Sequence, residues 1–175
     1  YEFVDAVQSG NRVDMREELG DVLLQVYFHA RMAQEHPTDP FSIEDIAQGI
    51  ADKLISNNEI FLLRYWDSFV YDEDELDWSE DPFDDWTWQF YYHSLRMVSY
   101  LINAHELTGD TVYLEKAKWF IESWIEHNPS PSNQSSERAW DDHSTANRIT
   151  TFIYFWDHYR NSQIFDEEFA NEFLN

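Results

Sequence analysis

The stretch "DWTWQFYYHSLRMVSYLINAHELTGDTVYLEKAKWFIESWIEH", residues 85–127, decides the fold. Its apolar residues recur at helical rather than alternating spacing over two long runs, so the segment reads as helix. Between the runs, Thr108-Gly109-Asp110 supplies a glycine stop and then an aspartate N-cap, the chemistry of a tight helical hairpin. The predicted helices run from about Asp85 to Glu106 and from Thr111 to about His127.

The same grammar holds on both sides. Only 4 glycines and 5 prolines punctuate the 175 residues, and no strand alternation appears, so the chain reads as all-α. Tyr1 to about Gln8 reads as the end of a helix and Ser9-Gly10-Asn11 as a turn. A long helix is expected from about Asp14 to Glu35, closed by His36-Pro37 and Pro40. Ser42 with Asp45 three residues on resembles a capping box and opens the next helix, which fades at Ser56 to Asn58. Residues 67–85 carry ten acids and no base, which predicts a solvated, irregular connector. After a Pro, Ser and Asn loop at 128–136, helices are expected near His143 to Arg160 and from about Asp166.

Composition excludes several functions. With 35 acids against 11 bases and a formal charge of -24, the surface repels a nucleic-acid duplex or an anionic membrane, and a cation or cationic partner fits better. No apolar run approaches the roughly 20 residues that span a bilayer. There is no cysteine, hence no disulfide, thiolate metal site or cysteine nucleophile. The chain begins at Tyr1 inside a helix-like stretch, which reads as a fragment, so the lack of a leader says nothing about export.

Wound at about 100° per residue, the helix from Asp14 to Glu35 places Leu19, Val22, Leu23, Val26, Ala30 and Ala33 in one apolar sector. Leu24, Tyr27 and Phe28 make the opposite side apolar too. Between them runs a stripe of Glu18, Asp21, Gln25 and His29. Carboxylates flanked by apolar surface are costly unless paired or holding a cation. Glu18 and Asp21, joined by Glu2 from a neighbouring helix, would supply the oxygens a magnesium ion takes. The ordinary alternative is a wet acidic face, and His29 reads as a polar helix residue rather than a ligand.

The run "YEFVDAVQSGNRVDMREELGDVLLQVYFHARMAQE", followed by "DIAQGIADKL", resembles the MazG family of all-helical nucleoside triphosphate pyrophosphohydrolases over residues 1–55. The resemblance implies part of a four-helix-type bundle in which two acidic pairs bind magnesium. By position Glu18 and Asp21 are the second pair, Glu2 is the last acid of the first, and Lys53 contacts phosphate. The sequence departs where the family's arginine four residues after the lysine is Asn57, and the other acid of the first pair would precede Tyr1. A second subunit, joined through the amino-terminal helices, would complete such a site.

Further on, "AWDDHSTANR" (139–148) places His143 and Asn147 on one helical face and Arg148 about 140° from His143. The ordinary reading is that Asp142 or Ser144 caps the helix, His143 bonds locally and Arg148 pairs with an acid. The aromatics Trp86, Trp88, Tyr91 and Tyr92 read as core. With the acidic Trp-Pro approach and the "TGD-x-x-Y" hairpin, this stretch resembles the amino-terminal helical domain of heparinase II/III-type polysaccharide lyases over about residues 60–175. That resemblance implies hairpins of an incomplete α/α toroid, with Trp140, His143, Asn147 and Arg148 lining or supporting a cleft for a uronate-containing polysaccharide. The family's catalytic motifs lie beyond this region, so no catalytic residue is assigned and no lyase activity is expected of this piece alone.

The resulting expectation is a MazG-like fragment (1–55), an acidic connector (56–85) and a toroid-like fragment (86–175), with a seam between residues 54 and 60. The first resemblance implies magnesium, a nucleoside triphosphate and the cytoplasm; the second implies no cofactor and an exported or periplasmic protein. A tetratricopeptide-like interaction module would need a second copy of "LTGDTVYLEKAKWFI" about 34 residues away, and none is visible.

Overall fold

The computed structural model describes residues 11–63 and 66–174. They form helices α1 (Arg12–Gln34), α2 (Ile43–Ser56), α3 (Trp86–His93), α4 (Arg96–Thr108), α5 (Thr111–His127), α6 (Asp142–Tyr159) and α7 (Glu167–Leu174). Strand among the described residues is limited to β1 (Glu59–Ile60) and β2 (Phe69–Val70), an antiparallel pair. The fold is therefore all-α. The helix expected over Tyr1 to Gln8, and with it Glu2, lies outside the described residues.

By packing, the chain divides into two compact units, Tyr1–Ile46 and Ala47–Asn175. In the first, the Asn11 side chain caps α1 by accepting from the Val13 and Asp14 amides. Ser42 and Asp45 form the reciprocal capping box ahead of α2: the Asp45 amide donates to Ser42 Oγ (3.2 Å) and the Ser42 amide to Asp45 Oδ2 (2.6 Å). On α1 Leu24, Phe28 and Met32, spaced four apart, are exposed, while Ala30 is buried.

The second unit has a continuous aromatic core. Leu54 and Ile60, which bracket the expected seam, are both buried in it with Tyr71, Trp78, Trp88, Leu101, Phe120, Trp124 and Phe155. The Tyr71 hydroxyl donates to the Leu54 carbonyl (3.1 Å) and the Tyr71 amide to the Asn58 carbonyl (2.9 Å), which fastens the end of α2 to the β-pair. A change of family pattern near residues 54–60 thus does not coincide with the division in packing, which falls after Ile46.

The acidic stretch 67–85 is more ordered than its composition implies. Its carboxylates are mostly exposed, but Tyr71, Leu76 and Trp78 are buried. Trp78 stacks on Tyr92 at 4.8 Å between centroids and donates its indole N–H to Ser123 Oγ (3.0 Å). Three large apolar groups spaced through an acidic run are enough to pin it to a core while its charges stay in water.

The helix expected from Asp85 to Glu106 is two helices. Ser94 Oγ donates back to the Phe90 carbonyl (2.6 Å), and Leu95 adopts the left-handed conformation (φ 56°). Leu95 is fully buried, so the break directs an apolar side chain inward at the corner between α3 and α4. The hairpin between α4 and α5 follows the expected chemistry, with Gly109 left-handed at φ 72° and Asp110 capping α5.

Candidate functional site

Two adjoining cavities on the second unit share Tyr91. The larger, about 670 Å³, is bounded by Trp86, Phe90, Tyr91, Arg138, Asp141 and His143. The smaller, about 240 Å³, is bounded by Tyr91, Arg96, Ser99, Asn147, Thr150 and Tyr154. The larger lies between α3 and the start of α6, and the smaller between the start of α4 and α6; both α3 and α4 pack against α6. The larger has the size of a small-molecule or oligosaccharide site.

The α3 wall begins at Asp85, whose carboxylate caps the helix at the Thr87 and Trp88 amides. The next residue, Trp86, is turned outward and is 67% exposed. The α6 wall begins at Asp141, whose Oδ1 accepts from the His143 and Ser144 amides. Asp141, not Asp142 or Ser144, is therefore the cap. Its other oxygen holds Arg138 at 3.5 Å, and His143 Nδ1 lies 3.7 Å from Oδ1. The Arg138 guanidinium sits 5.8 Å from the Trp86 ring centroid.

Of the sugar-cleft residues expected from sequence, His143 and Asn147 face this groove from successive turns of α6. The Asn147 side-chain Nδ2 donates to the His143 carbonyl (3.0 Å). Arg148 and Trp140 lie behind. Arg148 is 2% exposed and donates to the His93 and Ala139 carbonyls (2.8 and 2.7 Å), with its guanidinium 3.8 Å from the Trp124 ring centroid and 5.2 Å from Trp140. Carbonyls rather than an acid satisfy it, in contrast to the expected ion pair. Burial lowers its pKa to about 10, so it stays charged at neutral pH. Half-buried Trp140 donates to the Asn128 carbonyl (3.2 Å). Both residues thus support the groove rather than line it.

Sequence reasoning missed Trp86, Tyr91, Arg96 and Arg138. The two aromatics were expected in the core, and helical projection could not reveal that a cap places Trp86 at a rim. A base in the Pro and Ser loop just ahead of "WDDH" was the available signal for Arg138.

In the first unit Glu18 is half-buried and Asp21 exposed, one turn apart on α1. Two carboxylates so spaced fit a hard divalent cation, and Glu2, the third expected donor, lies outside the described residues. Among the described residues no group of three metal-ligating side chains is assembled. Lys53 is exposed in the last turn of α2, near Glu59, whose carboxyl is held below its usual range first by the Ser68 hydroxyl and only to a lesser degree by the Lys53 charge. No helix among the described residues is long and apolar enough to cross a membrane.

Comparison with known proteins joins two resemblances in one chain. Residues 1–60 match the MazG nucleotide pyrophosphohydrolase domain family. A nucleoside triphosphate pyrophosphohydrolase of Mycolicibacterium smegmatis is 49% identical over 80 residues, which is 46% of this chain and 24% of that protein. The nucleoside triphosphate pyrophosphohydrolase/pyrophosphatase MazG of Thermotoga maritima is 49% identical over 55 residues, 31% of this chain and 21% of that protein. The chain thus spans about a quarter of the length of these relatives. Among solved structures, the heparan sulfate lyase HepC of Pedobacter heparinus and a mutant of it are similar in fold, with TM-scores of 0.66 and 0.67 and identities of 20% and 21%. Each similarity covers 99% of this chain and 28% of the lyase.

Proposed function

We propose that residues 47–175 form part of the sugar-binding helical domain of an acidic-polysaccharide lyase. The groove in which Trp86, Tyr91, Arg138, His143 and Asn147 converge carries this reading. Exposed aromatic faces stack on the apolar faces of sugar rings, and an amide, an imidazole and guanidiniums bond to hydroxyls and acidic substituents. The likeness of fold to a heparan sulfate lyase supports a uronate-containing chain as the ligand. Titration with a heparan sulfate oligosaccharide is expected to shift tryptophan fluorescence through Trp86, and His143→Ala to weaken binding by about tenfold. An unchanged emission spectrum across the titration would remove the reading.

A second reading applies to the amino-terminal segment and rests on the family match over residues 1–60. Here the chain is a nucleoside triphosphate pyrophosphohydrolase fragment, in which Glu18, Asp21 and Glu2 would hold magnesium and Lys53 would contact phosphate. A bound divalent ion supplies Lewis-acid polarisation of phosphoryl oxygens and activation of water. The exposed Leu24, Phe28 and Met32 stripe on α1 offers a surface for a subunit that completes the site. Magnesium-dependent release of pyrophosphate from nucleoside triphosphates is expected to fall by about two orders of magnitude in Asp21→Ala. Absence of both calorimetric magnesium binding and turnover in the parent chain would exclude it.

A further inference from the structure

The bases of the second unit are unevenly engaged. Lys116 pairs with Glu73, Lys118 with Glu122 and Asp166, Arg160 with Asp157, and Arg138 with Asp141. Pairing is the expected state of a base in a chain of 35 acids and 11 bases. Arg96 differs. It is half-buried on the wall of the smaller cavity, and its Nε donates to the Tyr100 hydroxyl (3.0 Å). No carboxylate among the described residues stands within ion-pair distance of it.

Its guanidinium is stacked 5.0 Å from the Tyr91 ring centroid and 6.0 Å from that of Tyr100, and Tyr100 is itself anchored by donating to the Leu62 carbonyl (3.0 Å). The fork is therefore held in place before any ligand arrives. Around the same cavity stand Ser99, Asn147 and Thr150, neutral groups that bond to an anion without opposing its charge. The larger cavity, in contrast, offers aromatic faces, and its guanidinium is already neutralised by Asp141.

Resting on the polysaccharide reading of this groove, we infer that Arg96 is its specificity-determining residue. Arg96, with Asn147 and Ser99, holds the carboxylate or sulfate of an acidic sugar in the smaller cavity, while Trp86 and Tyr91 carry the rings. A planar fork matches either oxyanion with two parallel hydrogen bonds. A guanidinium with no carboxylate within ion-pair distance among the described residues also attracts an acidic substituent in a way that neutral sugars do not feel.

Calorimetric titration with a heparan sulfate hexasaccharide and with neutral xylohexaose separates these roles. Arg96→Gln is expected to weaken the acidic hexasaccharide by about tenfold or more and to change the neutral one by less than about twofold. Arg138→Gln, whose charge Asp141 offsets, is expected to cost the acidic ligand less. Raising the salt to about 1 M should narrow the gap between parent and Arg96→Gln, because screening removes the term the substitution removes. Equal loss on both sugars would mean that Arg96 only props Tyr91, and an unchanged acidic affinity would mean it does not read charge. Either result overturns the inference and leaves the polysaccharide reading standing. If neither sugar binds a parent chain with native near-ultraviolet circular dichroism, the polysaccharide reading falls and the assignment of Arg96 falls with it.

Discussion

Urea unfolding at pH 4.5 is expected to need markedly less denaturant than at pH 7, and much of that difference is expected to vanish in His93→Gln. His93 is fully buried at the end of α3. Trp124 donates its indole N–H to His93 Nδ1 (3.3 Å), while His93 Nε2 is buried with no partner among the described residues. Burial first, and the nearby Arg148 charge second, push its pKa down from 6.5 to about 3.

The unfolded chain therefore binds a proton near pH 6.5 that the folded chain refuses until about pH 3. The stability this group contributes is complete above pH 6.5 and is lost as the pH falls toward 3, about 3–5 kcal/mol across that window. Hydrogen-bonded carboxylates such as Asp77 and Asp166, held below their usual range by neighbouring donors, also favour the folded state above about pH 4. Their loss comes later in the acid titration, so a slope between pH 7 and 5 belongs chiefly to His93. A His93→Gln protein with the parent's slope over that interval would refute the assignment.

Arg148→Met is expected to lower the stability of the second unit by about 3–5 kcal/mol, with the melting temperature falling by about 10 °C or more. The side chain closes three separate pieces of chain on one another: the end of α3 through the His93 carbonyl, the loop before α6 through the Ala139 carbonyl, and α6 itself through Thr145 Oγ1 (3.4 Å). Methionine fills much of the space against Trp124 and Trp140 but leaves two buried carbonyls without donors. Both carbonyls accept from Nη1, but lysine has no planar guanidinium to stack on Trp124 and no second nitrogen for Thr145, so Arg148→Lys should rescue only in part. Removing the charge also eases protonation of His93, so Arg148→Met should flatten the acid slope as well. A melting temperature within about 2 °C of the parent would contradict this role.

Helical content, the hairpin at Thr108-Gly109-Asp110 and the Ser42–Asp45 capping box were legible because each depends on residues within one turn of each other. In the acid-rich stretch the exposed, irregular chain expected from its charges is present, but composition averages over residues and hides the burial of Tyr71, Leu76 and Trp78. The break at Ser94-Leu95 was invisible for a related reason. Neither residue is a helix breaker by propensity, and the gain from burying Leu95 at a corner exists only when the other helices are present.

The candidate groove divides in the same way. Spacing put His143 and Asn147 on one face of α6, and that is how they stand. Spacing also set Arg148 away from that face, but not that it is buried on carbonyls and stacked on Trp124. Trp86, Tyr91 and Arg96 came into view only through the packing of α3 and α4 against α6.

What the sequence by itself determined is the all-α class, the hairpin and capping box whose signals lie within one turn, and the two family resemblances, because these reside in local backbone chemistry and in motif spacing. The tertiary structure decided which bases are neutralised and which remain available, since that depends on carboxylates brought close from distant positions. In a chain of net charge -24, an arginine is expected to find an acid. That Arg148 finds carbonyls and Arg96 finds a tyrosine hydroxyl beside an open groove is a consequence of packing, which no reading along the chain contains.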